Sequence, residues 1–345
     1  MNEAYVAISL LWIFIFIYSI AGAIDFGAGF WAFVFEKNEQ TRAGVLANKF
    51  LSPTWKITNV FLVLIVIAFV GFFPRATFML GTLLLWPVCI ILILLTVRSS
   101  FMVYAYSAKY FQRALKTSSA ISGILIPSLF ISVLPITLGG FIEEQNGTMQ
   151  IQFMTLLQSV TLYTHIGFGL TSALYLSALF LADYAREARD NAAYIIYRKW
   201  AIILGPLTLG FAVLVTETMV EEASWIVDRF RDNGLWFGLS IAAFIFAYIS
   251  LWIKKGDDIG HPRFAVVGCI LQYGLASYAY GNAHMPYIIY PILTIEQGVT
   301  NPEMFRSLLL SYSIGIVILV PSFILFWKLF LKDQKYLNPN ENPEE

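Results

Sequence analysis

Hydrophobic residues along this chain gather in long runs, not at the spacing of a half-buried helix or strand. Nine stretches carry almost no charge, at about 5–35, 57–74, 76–97, 120–142, 156–182, 200–216, 235–253, 264–281 and 307–327. A bilayer core takes roughly 20 apolar residues per helix, with every backbone polar group satisfied inside the segment. Each run therefore predicts a membrane-spanning α-helix. The first, interrupted only by Asp25, exceeds a perpendicular span and predicts tilt or an overhang. It lacks a basic leader and is too long for a signal peptide, so it is expected to be retained. The sixth is the shortest and can extend into the acidic stretch behind it. Residues 333–345 are polar and contain proline, which predicts a poorly ordered tail. The chain reads as an all-α integral membrane protein, with one polytopic domain over 1–332 and a polar tail.

Composition agrees: 58% of residues are hydrophobic and 13% charged, with a mean hydropathy of +0.71, against about 25% charged in soluble domains. Twenty-two Lys+Arg cancel 22 Asp+Glu, leaving no electrostatic footprint for nucleic acid. Placement says more than the sum. Lys37, Arg42, Lys49 and Lys56 follow the first run, and Arg98, Lys109, Arg113 and Lys116 the third. Arg186, Arg189, Arg198 and Lys199 follow the fifth, Lys254, Lys255 and Arg263 the seventh, and Lys328, Lys332 and Lys335 the ninth. The intervening segments hold only Arg75, Arg229, Arg231 and Arg306. Because cations are retained on the cytoplasmic side, the N-terminus is expected outside and the C-terminus, with its tail, in the cytoplasm. Short loops leave no room for a soluble catalytic domain. Cys89 and Cys269 lie in separate apolar runs, which excludes a disulfide framework or CxxC knuckle, and no P-loop, dinucleotide, zincin or nucleophile-elbow motif appears.

Asp25 is the only acid well inside any of these runs, and an ionisable group in a span is a functional hypothesis by default. On a helix its face holds Ala21, Gly22, Ala28 and Gly29, with Ala32 one turn beyond and Tyr18 one turn before Ala21. Such small residues let another helix approach. One reading is a proton-relay carboxylate, with Tyr18 as a weaker polar partner; the other is a helix–helix hydrogen bond. His165 shares a stripe with Thr161, Gly169 and Ser172, where a packed polar contact is a more ordinary use than haem ligation. Glu217, Glu221 and Glu222 predict a solvated face or, less simply, a proton-exit or cation site. The residues assign no catalytic, cofactor-binding or metal-ligating group to this chain.

Several segments together resemble the second subunit of the bacterial cytochrome bd quinol oxidases. They are Gly22-Ala23-Ile24-Asp25-Phe26-Gly27-Ala28-Gly29, Ser52-Pro53-Thr54-Trp55 with Asn59-Val60, Met285-Pro286-Tyr287, Pro291, Leu293-Thr294-Ile295, Pro302, and the last run with Pro321 and Trp327. Their order covers nearly the whole chain. The resemblance implies nine helices arranged as two four-helix bundles plus one peripheral helix, in the bacterial cytoplasmic membrane. It implies a heterodimer with a similarly folded subunit I carrying two b-type haems, haem d and the quinol-oxidising loop, and it allows a small single-helix accessory subunit. This chain would then bind no haem; some members hold a structural quinone here, to which no residue is assigned. The family's aspartate matching Asp25 is associated with proton conduction. Many members place an acid directly after the tryptophan matched by Trp55, where this chain has Lys56, which puts that second proton route in doubt. A proton-coupled transporter and a purely structural scaffold are the alternatives; the absence of repeated halves counts against the transporter.

Overall fold

The computed structural model describes residues 3–36, 41–104, 112–145, 148–255, 258–299 and 302–332; the tail 333–345 lies outside them. Eight helical stretches among these residues are long and apolar enough to cross a membrane. They are α1 (Glu3–Val34), α2 (Ala43–Phe72), α4 (Leu85–Tyr104), Thr117–Thr137 of α5 (Gln112–Ile131) with α6 (Val133–Thr137), α8 (Val160–Glu187), α9 (Asn191–Glu222), α12 (Pro262–His284), and Glu303–Lys332 of α14 (Pro302–Phe326) with its π-helical end (Trp327–Lys332). The expected seventh span is α11 (Gly234–Ser250), 17 residues long and bent by 78° from α10 (Ser224–Asp232); counted as one span, this pair brings the number to nine. Short helices α3 (Pro74–Leu83), α7 (Phe153–Gln158) and α13 (Ile295–Gly298) fill connections. Three small antiparallel pairs were not foreseen: β1 (Ile142–Gln145) with β2 (Thr148–Ile151), β3 (Lys254–Lys255) with β4 (Asp258–Ile259), and β5 (Tyr287–Ile289) with β6 (Leu293–Thr294).

The boundaries differ from the apolar runs for local reasons. The run 76–97 breaks at Leu84 because Pro87 has no amide to donate to the carbonyl four residues back. A new helix starts at Leu85 and continues past Arg98 to Tyr104. Helix α2 begins fourteen residues before the expected start at 57, and so carries Lys49, Pro53 and Lys56 inside it. Near Pro53, the Thr54 hydroxyl donates to the Phe50 carbonyl at 3.0 Å. Helix α9 runs on through the acidic stretch to Glu222, as the short sixth run allowed. The fourth run leaves helix at Leu138, where Gly139 takes a φ of +91°, a value that glycine adopts at little cost.

Helix α1 threads the centre, packing on α2, α5 and α8, while α8 packs on α9 and α12, and α11 on α12. Its C-terminal half joins one core with Phe50, Tyr175, Leu179, Tyr197 and Phe244; its N-terminal half joins another with Phe61, Phe72, Ile289 and Tyr312. Helix α14 leans on α2 and leaves most of its surface exposed. One end of the molecule gathers the α1–α2, α8–α9 and α11–α12 connections: the Tyr197 hydroxyl donates to the Ala43 carbonyl at 2.7 Å and Arg198 Nε to the Leu251 carbonyl at 2.8 Å. The other end joins Glu3 to Arg306 at 3.3 Å and stacks Trp225 on Tyr290 at 4.0 Å.

Candidate functional site

Asp25 lies on α1 and is only 4% exposed. The structure supplies the partner that charge counting placed in a loop: Arg98, itself 3% exposed, reaches across from α4 with Nη2 3.5 Å from Asp25 Oδ2. The same guanidinium donates to the Asp25 backbone carbonyl at 3.0 Å and, through Nη1, to the Ser119 carbonyl of α5 at 2.7 Å. It also lies over the Phe26 ring at 5.1 Å. Two glycines make this possible, since a Cβ on Gly29 or Gly123 would press on the guanidinium. The small stripe therefore serves the approach of an arginine as much as that of a helix.

A buried ion pair is stable only where further hydrogen bonds occupy the remaining donors. Arg98 meets this condition with the two carbonyls. Asp25 meets it only halfway: Oδ1 is buried without a hydrogen-bond partner among the described residues. Thr54 of α2 lies beside the carboxyl, its hydroxyl engaged by Phe50. About two turns earlier on α1, Tyr18 is buried against Phe130 at 5.7 Å, edge to face, and its hydroxyl is likewise unpartnered among the described residues. The site thus holds a charge-compensated carboxylate with one oxygen open to accept a proton.

The other predicted residues do not converge on it. Lys56 is exposed on α2, its ammonium 6.0 Å from the Trp55 ring. His165 is buried in α8, and its Nδ1 donates to the Thr161 carbonyl at 2.7 Å, a helix-internal polar contact. Around it Thr161 donates to the Thr218 carbonyl of α9 at 3.1 Å, and Ser159 to Glu222 at 2.7 Å. Glu217 and Glu221 are exposed on α9 and do not share that contact. No group of three or more His, Cys, Asp or Glu side chains with metal-site geometry occurs among the described residues. Asp25 is also not the only buried acid within a helix. Asp183 of α8, one residue beyond the expected span, is 8% exposed and paired with Arg263 of α12 at 2.8 Å.

Comparisons with known proteins cover the whole architecture. The family model of cytochrome bd terminal oxidase subunit II matches residues 3–330. A Bacillus subtilis (strain 168) protein provisionally named cytochrome bd menaquinol oxidase subunit II is 45% identical over 343 residues, 99% of each chain. A chain in the solved structure of the bd oxidase from Geobacillus thermodenitrificans superposes with a TM-score of 0.82 at 32% identity, over 96% of this chain and 99% of that one.

Proposed function

Because the chain belongs to the cytochrome bd terminal oxidase subunit II family, it is a multi-pass component of a bacterial membrane quinol oxidase that works with a subunit I, and we propose that it braces that partner and passes cytoplasmic protons through Asp25. The observation that carries the proton role is the half-satisfied ion pair. Arg98 compensates the carboxylate on one oxygen, and the other oxygen has no described partner. A carboxylate held this way keeps its charge away from water and still has a lone pair where a proton lands. The unpartnered Tyr18 hydroxyl, further along the same helix face, is the next polar group away from the cation-rich end.

In this reading α1, α2, α4 and α5 form one four-helix bundle and α8, α9, α11 and α12 a second, with α14 peripheral; the pairwise packing supports it. The N-terminus lies outside and the C-terminus in the cytoplasm, supported by the cation asymmetry, which survives the removal of Arg98 from the loops. The haems of the complex, two b-type and one d, belong to subunit I. The name of the Bacillus subtilis relative makes menaquinol the proposed electron donor. Exposed Lys56 stands beside Trp55 near the level of Thr54, so the uptake route runs past a cation and reaches Asp25 as its first buried carboxylate. The transporter reading has no observation in its favour.

Asp25→Asn tests the proposal in the intact complex. The amide keeps the shape and cannot cycle a proton, so haem content is expected to stay normal while oxygen reduction slows about tenfold or more, equivalent to about 1.4 kcal/mol of barrier. Normal turnover with normal proton uptake in Asp25→Asn leaves only the bracing role.

A further inference from the structure

At the cation-rich end, an arginine of α9 fixes the connection between α11 and α12. Arg198 Nε donates to the Leu251 carbonyl at 2.8 Å, and the guanidinium carbon stands 5.4 Å from the centre of the Trp252 ring. Gly260, at a φ of +84°, completes the seat: a Cβ there would press on the Tyr194 hydroxyl and on the Leu251 carbonyl that holds Arg198. The Tyr194 hydroxyl donates to the Ile259 carbonyl, and Ile259 lies opposite Lys254 across the β3–β4 pair. A guanidinium, an indole and an ammonium are thereby gathered where α11 ends.

This cluster lacks a neutralising acid. Arg198 makes no ion pair among the described residues, and its two terminal nitrogens make no hydrogen bond among them. The nearby carboxylates are committed elsewhere: Asp183 and Glu187 hold Arg263, and Asp190 accepts the Ala193 amide at the start of α9. In the hairpin, Asp258 lies opposite Lys255, which leaves exposed Lys254 facing an isoleucine. Trp252 is 53% exposed, and its indole N–H has no acceptor among the described residues. From the cluster an apolar track runs back along α11. Ile241, Ile245, Ile249 and Trp252 recur at four and three residues, so they share one face, and all four are exposed. A tryptophan at the head of such a track sits with its ring in hydrocarbon and its N–H at the polar boundary. Guanidinium and ammonium suit a phosphate, and the isoleucines suit a hydrocarbon chain attached to it. A soluble anion has no use for the track.

We propose that Arg198, Trp252 and Lys254 receive the phosphate of an anionic phospholipid from the leaflet at this end, with an acyl chain laid along Ile249 and Ile245. The site is independent of the Asp25 reading. Purified complex, delipidated in detergent, is supplied with phosphatidylglycerol bearing a diazirine in its acyl chain and irradiated; crosslinks are expected on the peptide spanning 241–253. Arg198→Gln with Lys254→Gln is expected to reduce them by about fivefold for each cation removed, with haem absorbance confirming assembly. Crosslinks that miss α11, persist unchanged in the pair, or form equally with a diazirine diacylglycerol lacking the phosphate overturn the proposal. So does their abolition by inorganic phosphate but not by chloride at the same ionic strength, which makes the cluster a site for the free ion. Because Arg198 also supports the connection, Lys254→Gln alone, at an exposed position, gives a second reading: about fivefold fewer crosslinks are expected, and an undiminished yield overturns the proposal.

Discussion

At the scale of single residues, the Asp25–Arg98 pair is strongly asymmetric in its response to substitution. Removing Arg98 alone strands a buried carboxylate and two carbonyls, a loss of about 3–5 kcal/mol, so Arg98→Leu is expected to deplete the assembled complex from membranes. Removing both charges restores a neutral core, since replacing both partners of a buried pair is far milder than replacing one. Asp25→Asn combined with Arg98→Leu should therefore yield more haem-containing complex than Arg98→Leu alone, as measured by the reduced-minus-oxidised spectrum. A double variant no better than the single one contradicts the pairing. His165→Asn is expected to leave that spectrum unchanged, because the ring serves a helix-internal contact. Asp25 was legible in the sequence since one charge in an apolar run is conspicuous. Arg98 was not, because counting hydropathy ends a span at the first charge. Whether that charge closes the helix or lies buried inside it depends on an aspartate 73 residues away. Asp183 escaped for the same reason.

At the scale of elements, close approach decides which glycines matter. A Cβ on Gly27 would run into the Ser177 hydroxyl and the Ala173 carbonyl of α8, where Trp31 Nε1 also donates to Ser177 at 2.9 Å; a Cβ on Gly210 of α9 meets nothing. Gly27→Ala is expected to destabilise the complex by about 1–3 kcal/mol through overpacking, and Gly210→Ala to leave its thermal unfolding midpoint unchanged. Equal midpoints for the two variants would contradict this packing. The small stripe around Asp25 was evident from sequence, whereas the tightest crossing lies at Gly27, between its members. Helix existence was likewise legible and helix ends were not. Pro87 splits an apolar run that looks continuous, and α2 persists through Pro53 because packing against α1, α8 and α9 holds its first turns.

At the scale of the whole molecule, the two ends differ in kind. The end that joins α8 to α9 and α11 to α12 collects the cation-rich connections, and the opposite end carries Glu3, Glu221 and the Trp225 aromatic cluster. Cysteine introduced at Lys254 in intact cells is expected to resist a membrane-impermeant thiol reagent, and cysteine at Glu221 to react. The reverse pattern would invert the topology. The sequence by itself determined that the chain lives in a membrane, about how many times it crosses, which end keeps its cations, and that Asp25 is unusual. These follow from the cost of exposing charge and backbone to hydrocarbon, which every residue bears locally. Only the tertiary structure decided that Asp25 faces Arg98 and keeps one oxygen open, that His165 turns back on its own helix, and that Asp183 of α8 pairs with Arg263 of α12. Those outcomes depend on which helix faces pack together, and packing between apolar helices leaves almost no trace in hydropathy.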